Sequence, residues 1–299
     1  MTLGDYMTTW LRTWCGNLRP TTVAGYRDIN RLYITPLLGD LELEAVTPED
    51  IQTAVSLVAE QHGRTAELML DVLRSAFKRA VLTRRIPWSP ADACFAPKFA
   101  RRRVDALTRE EEAVFVSAAS QVPMWPAIAL MLYAGLRRGE VIALRWGDVD
   151  LRAGMLSITK SAVKISGALQ VGPPKSDAGV RCVPVSPELA DVLRKHRRAA
   201  MRAGRAGAAC PVVASPSGGM VTPAGIYSAL RRLEEVTGVH AHPHRLRHTY
   251  CTDAAEQGVP VKSLQYAMGH SSSSLTLDTY TTLRYNSIRA DFARCGLAL

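Results

Sequence analysis

Apolar residues recur at helical spacing from the start of the chain. Leu3, Tyr6, Met7, Trp10, Leu11 and Trp14 fall on one face and predict a first amphipathic helix. A second is expected after Pro20, with Val23, Tyr26, Ile29 and Ile34 as its apolar positions and Leu37-Leu38-Gly39-Asp40 closing it. Thr47-Pro48-Glu49-Asp50 is a start signal: a cap, a proline in the first turn, then acids at the positive end of the helix dipole. A long amphipathic segment from Thr65 to Ile86 completes a small bundle of four helices.

Periodicity then lapses. Residues 98 to 106, KFARRRVDA, are polar and basic and are expected to be a linker. Thr108 and Glu111 form a T-x-x-E capping box that opens a second domain. Helical patterns cover roughly 108–120, 126–134 and 138–145. Alternating stretches at 155–160, 168–172 and 180–185 predict short antiparallel strands with Gly/Pro turns. Ser186-Pro187-Glu188 starts another capped helix, AGRAGAACP at 203–211 is a loop, and helices are expected near 222–237, 244–257, 260–268 and 286–294. The expected fold is mainly α with a small antiparallel β-sheet (α+β): a helical domain at 1–97, a basic linker at 98–106 and a mixed domain at 107–299. Trp88 and Trp146 are expected in the cores.

Composition narrows the function classes. The hydrophobic fraction of 47% and charged fraction of 21% suit a water-soluble globular chain, and no apolar run is long enough to span a membrane. The first residues lack the pattern of a signal peptide. Six cysteines without C-x-x-C pairs argue against a disulfide framework and a zinc ribbon, so a reducing cytoplasm is the expected location. The 37 Lys and Arg exceed the 27 Asp and Glu, for a formal charge of +10 and a pI near 9.6. A polyanionic partner follows naturally, because neutralising phosphates releases condensed counterions. The basic residues cluster at Arg101, Arg102 and Arg103, on the linker, and between Lys195 and Arg205. Neither G-x-x-x-x-G-K-[ST] nor G-x-G-x-x-G occurs, so nucleotide binding has no local support.

Four of the seven histidines fall in HAHPHRLRH, residues 240–248: His240, His242, His244 and His248. The i to i+4 spacing of His244 and His248 raises the question of a metal. Arg245 and Arg247 lie between them, and no Asp or Glu occurs from residue 236 to 252. A divalent cation beside two guanidiniums without carboxylates is disfavoured, so no metal and no cofactor is expected. An anion suits the segment better. His244 and Arg247 are i and i+3 near a helix N-terminus, where dipole, free N–H groups and a guanidinium fork favour phosphate. His248 is expected to be structural.

HRLRH at 244–248, followed by MGHSSSSLTLDTY at 268–280, resembles the C-terminal signature of the tyrosine recombinase family, which includes phage integrases. That signature is H-x-x-R, then Gly-His, then a tyrosine ten residues after the second histidine, which is the separation of His270 and Tyr280. YAGLRRGEVIALRWGDVD at 133–150 resembles the block around the family's first arginine and its supporting acid, here Arg137 and Glu140. GPPKSDAGVRCVPVS resembles the β-hairpin segment that carries a lysine, here Lys175. Met268 stands where the family more often has Leu, a conservative exchange.

The resemblance implies a helical core-binding domain over 1–97 and a tyrosine recombinase catalytic domain over 107–299. It implies a recombinase that cleaves and rejoins DNA through a 3′-phosphotyrosine, without metal or nucleotide. Tyr280 would be the nucleophile, Arg137 and Arg247 would hold the nonbridging oxygens, and His270 would add a hydrogen bond. Lys175 would protonate the leaving 5′ oxygen, and His244 would manage the tyrosine proton. By spacing alone Arg138 competes with Arg137, Tyr285 with Tyr280, and Lys160 and Lys164 with Lys175; the family pattern selects Arg137, Tyr280 and Lys175. The implied partners are double-stranded core sites, three further copies of the chain on synapsed DNA, and an accessory directionality or DNA-bending factor. The chain opens almost directly on the core-binding helix, so a separate arm-binding domain is expected to be missing. A Xer-type resolvase is the alternative within the class, and a catalytically inactive DNA-binding regulator the alternative outside it. Leu283, Ile288, Phe292 and Leu297 give the tail an apolar set that the resemblance assigns to docking on a neighbouring protomer.

Overall fold

The computed structural model describes residues 1–99, 105–165, 167–174 and 176–269. They form an N-terminal unit built mainly on residues 1–99 and a C-terminal unit built mainly on 105–163 and 169–269. The class is the expected one, helices with small sheets.

In the N-terminal unit α1 spans Leu3–Thr13, capped by the Thr2 hydroxyl accepting from the Asp5 N–H. Its buried face is Leu3, Tyr6, Met7, Trp10 and Leu11. Trp14 is a departure: it lies just past the helix, 45% exposed, with the Arg79 guanidinium 4.2 Å over its ring. Helix α2 (Pro20–Ile29) runs through a wide π-turn at Asn30–Ile34 into the short α3 (Thr35–Leu38). Pro36 accounts for the wide turn, since it has no N–H to donate and its ring crowds the carbonyl one turn back. The two helices expected after Thr47 meet end to end as α4, Pro48–Leu82, with a break at His62 (φ −138°, ψ 65°). Next to the break, a Cβ on Gly63 would come within 2.6 Å of the Phe99 ring, so only glycine admits that packing. Thr47 and Asp50 close the predicted capping box. Trp88 corrects an expectation: it is exposed rather than in the core, because it falls in the turn beyond α4.

The C-terminal unit is organised around one helix. α5 (Arg109–Ala119) starts at the Thr108–Glu111 box, and α6 (Trp125–Ala134) follows. α6 is apolar on all sides, as an interior helix must be, and α8 (Pro187–Arg202) and α10 (Pro243–Glu256) pack on it. It ends at Gly135 in the left-handed region (φ 60°), and α7 (Arg138–Ala143) begins three residues later. β1 (Val149–Asp150), β2 (Met155–Ile158) and β5 (Arg181–Pro184) form an antiparallel sheet in the order β1-β2-β5. Its register sets Leu156 opposite Val183 and Ile158 opposite Arg181. β3 (Ser161–Ile165), not anticipated, pairs with β4 (Ala168–Gly172) as a separate two-stranded sheet. Trp146 is in the core as expected. α9 (Pro223–Thr237) and α11 (Val261–Met268) complete the described unit. The expected helix at 286–294 and the apolar tail lie outside the described residues. No described helix is long and apolar enough to cross a membrane.

Phe77 is fully buried in the N-terminal core. Phe77→Ala is expected to remove about 3–5 kcal/mol, transfer and cavity terms together. Equilibrium urea unfolding followed by circular dichroism measures it, and a midpoint equal to wild type contradicts this account of the core.

Candidate phosphate-binding site

Four segments of the C-terminal unit bring the site together. Gly135, past the end of α6, can adopt its positive φ without strain, and its Cα approaches Tyr250 so closely that a Cβ would meet that ring at 2.4 Å. The turn delivers Arg137 to the start of α7, where the Glu140 carboxylate accepts both the Arg137 backbone N–H and its Nη1, each at 2.9 Å. Glu140 is buried, yet its pKa is lowered. Burial pushes it up, and the hydrogen bonds and charges of Arg181 and Arg137 together outweigh that push.

Arg181 was not singled out by the sequence. It sits at the start of β5 with a fully buried side chain, and its Nη1 and Nη2 donate to the two Glu140 oxygens at 2.9 Å each. A signal existed: in VRCVPV the alternation that buries Val183 also buries position 181, and a cation on a core-facing slot demands a partner.

The C-terminal end of α11 meets all three arginines. The Ala267 carbonyl accepts from Arg181 Nε at 2.6 Å, the Met268 carbonyl from Arg247 Nη2, and the Gly269 carbonyl from Arg137 Nη2 at 2.8 Å. Arg247 also donates to the Gly135 carbonyl, so α10, α11 and the α6–α7 turn are tied through one side chain. A helix C-terminus is the negative end of its dipole, which suits this load of cations. Arg247 is only 5% exposed; burial, then the Arg137 charge, pulls its pKa to about 9, so it stays protonated at neutral pH. The cluster carries more guanidinium than carboxylate, and Arg137 is the one member whose side chain is substantially open to solvent, at 36%.

His244 reaches the surface beside this cluster. Partial burial of the ring, then the charges of Arg247, Arg138 and Arg137, lowers its pKa, so the neutral imidazole prevails near pH 7. The other histidines have local duties. His242 caps α10, its Nδ1 accepting from the Arg245 N–H at 3.3 Å. His240 lies 2.8 Å from a Glu234 oxygen. His248 is half-buried, with Nδ1 3.5 Å from the Thr252 hydroxyl. Arg245 faces away from the cluster: it binds Glu111 at 2.7 Å and the Asp105 carbonyl at 3.2 Å, anchoring the chain where it enters this unit. No group of three or more His, Cys, Asp or Glu side chains among the described residues is arranged to hold a metal.

Of the expected site residues, Arg137, Glu140 and Arg247 come together, with His244 alongside. Arg138 has its guanidinium 5.1 Å over the Tyr227 ring, and Lys160 pairs with Asp148 at 3.5 Å. Lys175, His270, Tyr280 and the linker residues Arg101, Arg102 and Arg103 lie outside the described residues. A cation cluster of this kind, with one internal carboxylate and an exposed guanidinium, has donors whose geometry matches an anion with paired oxygens.

Comparison with known proteins agrees in class. Residues 106–287 match the model described as the phage integrase family, and residues 2–57 match its N-terminal SAM-like domain. The chain therefore belongs to the phage integrase family of tyrosine recombinases. It is 24% identical over 275 residues to a putative prophage phiRv2 integrase of Mycobacterium tuberculosis, covering 92% of this chain and 72% of that one. It is 28% identical over 282 residues to the tyrosine recombinase XerC of Alcanivorax borkumensis, covering 91% and 86%. In fold it is similar to the Tn1549 transposon integrase solved with transposon right end DNA: TM-score 0.81, 23% identity, 98% of this chain and 99% of that one.

In an NMR titration of the free protein, His244 is expected to titrate below the ordinary histidine value of about 6.5. Arg137→Ala should raise it, because removing a nearby cation favours the imidazolium. A wild-type value at or above the ordinary one contradicts the electrostatics described.

Proposed function

We propose that the chain is a site-specific DNA recombinase of integrase type, which integrates or excises a mobile element by cleaving and rejoining strands through a phosphotyrosine at Tyr280. The observation that carries the reading is the arginine cluster locked to the Ala267–Gly269 carbonyls, directly before His270 and within reach in sequence of Tyr280. The family's functional elements occur in order around it.

Tyr280 attacks the scissile phosphorus as its hydroxyl proton passes to neutral His244. Arg137 and Arg247 stabilise charge on the nonbridging oxygens, and His270 adds a hydrogen bond. The bond to the 5′ oxygen breaks, and that oxygen takes a proton from Lys175, leaving a 3′-phosphotyrosine. Attack by a different 5′ hydroxyl reverses the sequence, so the phosphodiester's energy is conserved and neither metal nor nucleotide is needed. Glu140 keeps Arg137 oriented. Residues 1–97 would be a core-binding domain and 107–299 the catalytic domain, with Arg101, Arg102 and Arg103 of the 98–106 linker neutralising backbone phosphates. Exchange between two duplexes breaks four strands, and one tyrosine per chain then calls for a homotetramer on the synapsed sites. The proteins act where the DNA is, in the cytoplasm of a bacterial host. The likeness to XerC supports a second reading, a Xer-type resolvase with the same chemistry.

The test uses duplexes selected by this protein from a random-sequence library, then nicked at successive positions to trap cleavage. Wild type is expected to form a detergent-resistant covalent adduct that Tyr280→Phe abolishes. Arg137→Ala should slow adduct formation by about 10²–10³-fold, the usual effect of removing one donor to a developing oxyanion. Binding without any adduct would leave a DNA-binding regulator instead. Plasmids carrying two selected sites then separate integrase from resolvase by which site arrangements recombine.

A further inference from the structure

Each part of the arginine cluster has a role in the reading above except Arg181. Its side chain has no exposed surface, so it cannot touch DNA. All three of its guanidinium nitrogens are engaged, with partners in three different segments. Nε donates to the Ala267 carbonyl at the end of α11, at 2.6 Å. Nη1 donates to Glu140 on α7 and to the Gly179 carbonyl, in the turn that follows Lys175 in sequence, at 2.9 and 3.0 Å. Nη2 donates to the second Glu140 oxygen at 2.9 Å. The packing is close on the fourth side as well: a Cβ on Gly269 would lie 3.1 Å from Arg181 Nη1 and 2.9 Å from the Ala178 carbonyl.

We infer that Arg181 is a positioning residue for strand cleavage, the fork that holds in register the three segments carrying Arg137, Lys175 and His270. The inference rests on the recombinase reading. α7 presents Arg137 through Glu140, the turn at Asp177–Gly179 follows Lys175, and the carbonyls of α11 end one residue before His270. One planar cation with donors fixed in direction sets the spacing of all three, which a flexible ammonium cannot do.

Arg181 also keeps Glu140 ionised. Burial alone would favour the neutral carboxyl, and the Arg181 hydrogen bond and charge are the largest opposing influences. Without Arg181 the carboxyl should retain its proton to higher pH and release its hold on Arg137. Cleavage would then need more alkaline solution, since activity follows the ionised form and is lost as pH falls through the raised pKa.

The experiment compares wild type, Arg181→Lys and Arg181→Met on the library-selected nicked duplexes across a pH series. Both variants should bind DNA within about twofold of wild type and cleave roughly 100-fold more slowly, the usual effect of misplacing reacting groups by an ångström. Arg181→Met should shift its rate profile to higher pH. Arg181→Lys, which keeps the charge but not the fork, should restore the profile and not the rate. Wild-type rates with an unmoved profile in both variants, or rate losses that only track the fraction unfolded, would overturn the assignment. A ¹³C titration of the Glu140 carboxyl reads the same point without DNA. If wild type forms no adduct, the recombinase reading falls, and an unmoved Glu140 titration in Arg181→Met would overturn the Arg181 assignment separately.

Discussion

The C-terminal unit depends on one buried carboxylate held between two guanidiniums. Glu140 gives both oxygens to Arg181 and shares them with Arg137, at 2.9 Å throughout. Such a group is stable only while it is paired: removing one partner from a buried ion cluster typically costs about 3–5 kcal/mol, because a desolvated charge is stranded. The members of the cluster therefore depend on one another. With every member present, it supplies a rigid wall of positive charge whose open member, Arg137, faces solvent.

The rest of the unit supplies what that wall needs. α6 is buried on all sides, so its C-terminal end is fixed by the core, and Gly135 turns the chain sharply enough to begin α7 at once. α11 contributes no side chain to the cluster, only its last carbonyls. Those acceptors lack partners within the helix, as at any helix C-terminus, and three arginines satisfy them. The same bonds that satisfy the helix end also hold the arginines, so neither can move independently of the other.

The histidine-rich segment divides its labour by direction around α10. His242 closes the helix end, Arg245 turns outward to Glu111 and the incoming chain, and Arg247 turns inward to the cluster. His244 stays at the surface, and partial burial of its ring, then the charges of Arg247, Arg138 and Arg137, lowers its pKa. Within the segment one residue caps the helix, one anchors the incoming chain, one is a buried cation, and His240 and His244 are exposed imidazoles.

Helices and their caps follow from local rules, and so they were legible. Thr108 with Glu111 and Thr47 with Asp50 each satisfy N–H groups a few residues away, and nothing distant can alter that. The spacing of His244 to Arg247 and of Arg137 to Glu140 was also local, and family resemblance supplied their order. Three features needed the tertiary structure. Trp14 and Trp88 lie exposed because they follow helix ends, where periodicity no longer sets the direction of a side chain. β3 escaped notice because its pairing with β4, not its composition, makes it a strand. Arg181 had a visible oddity, a charge on the buried side of a strand, but Glu140 and Ala267, to which it binds, lie 41 and 86 residues away. Sequence by itself determined which residues could bind an anion, since their chemistry and spacing are carried by the chain. Only the fold decided that one arginine would bind three segments rather than the anion, because that choice depends on which carbonyls and carboxylates the packing places around it.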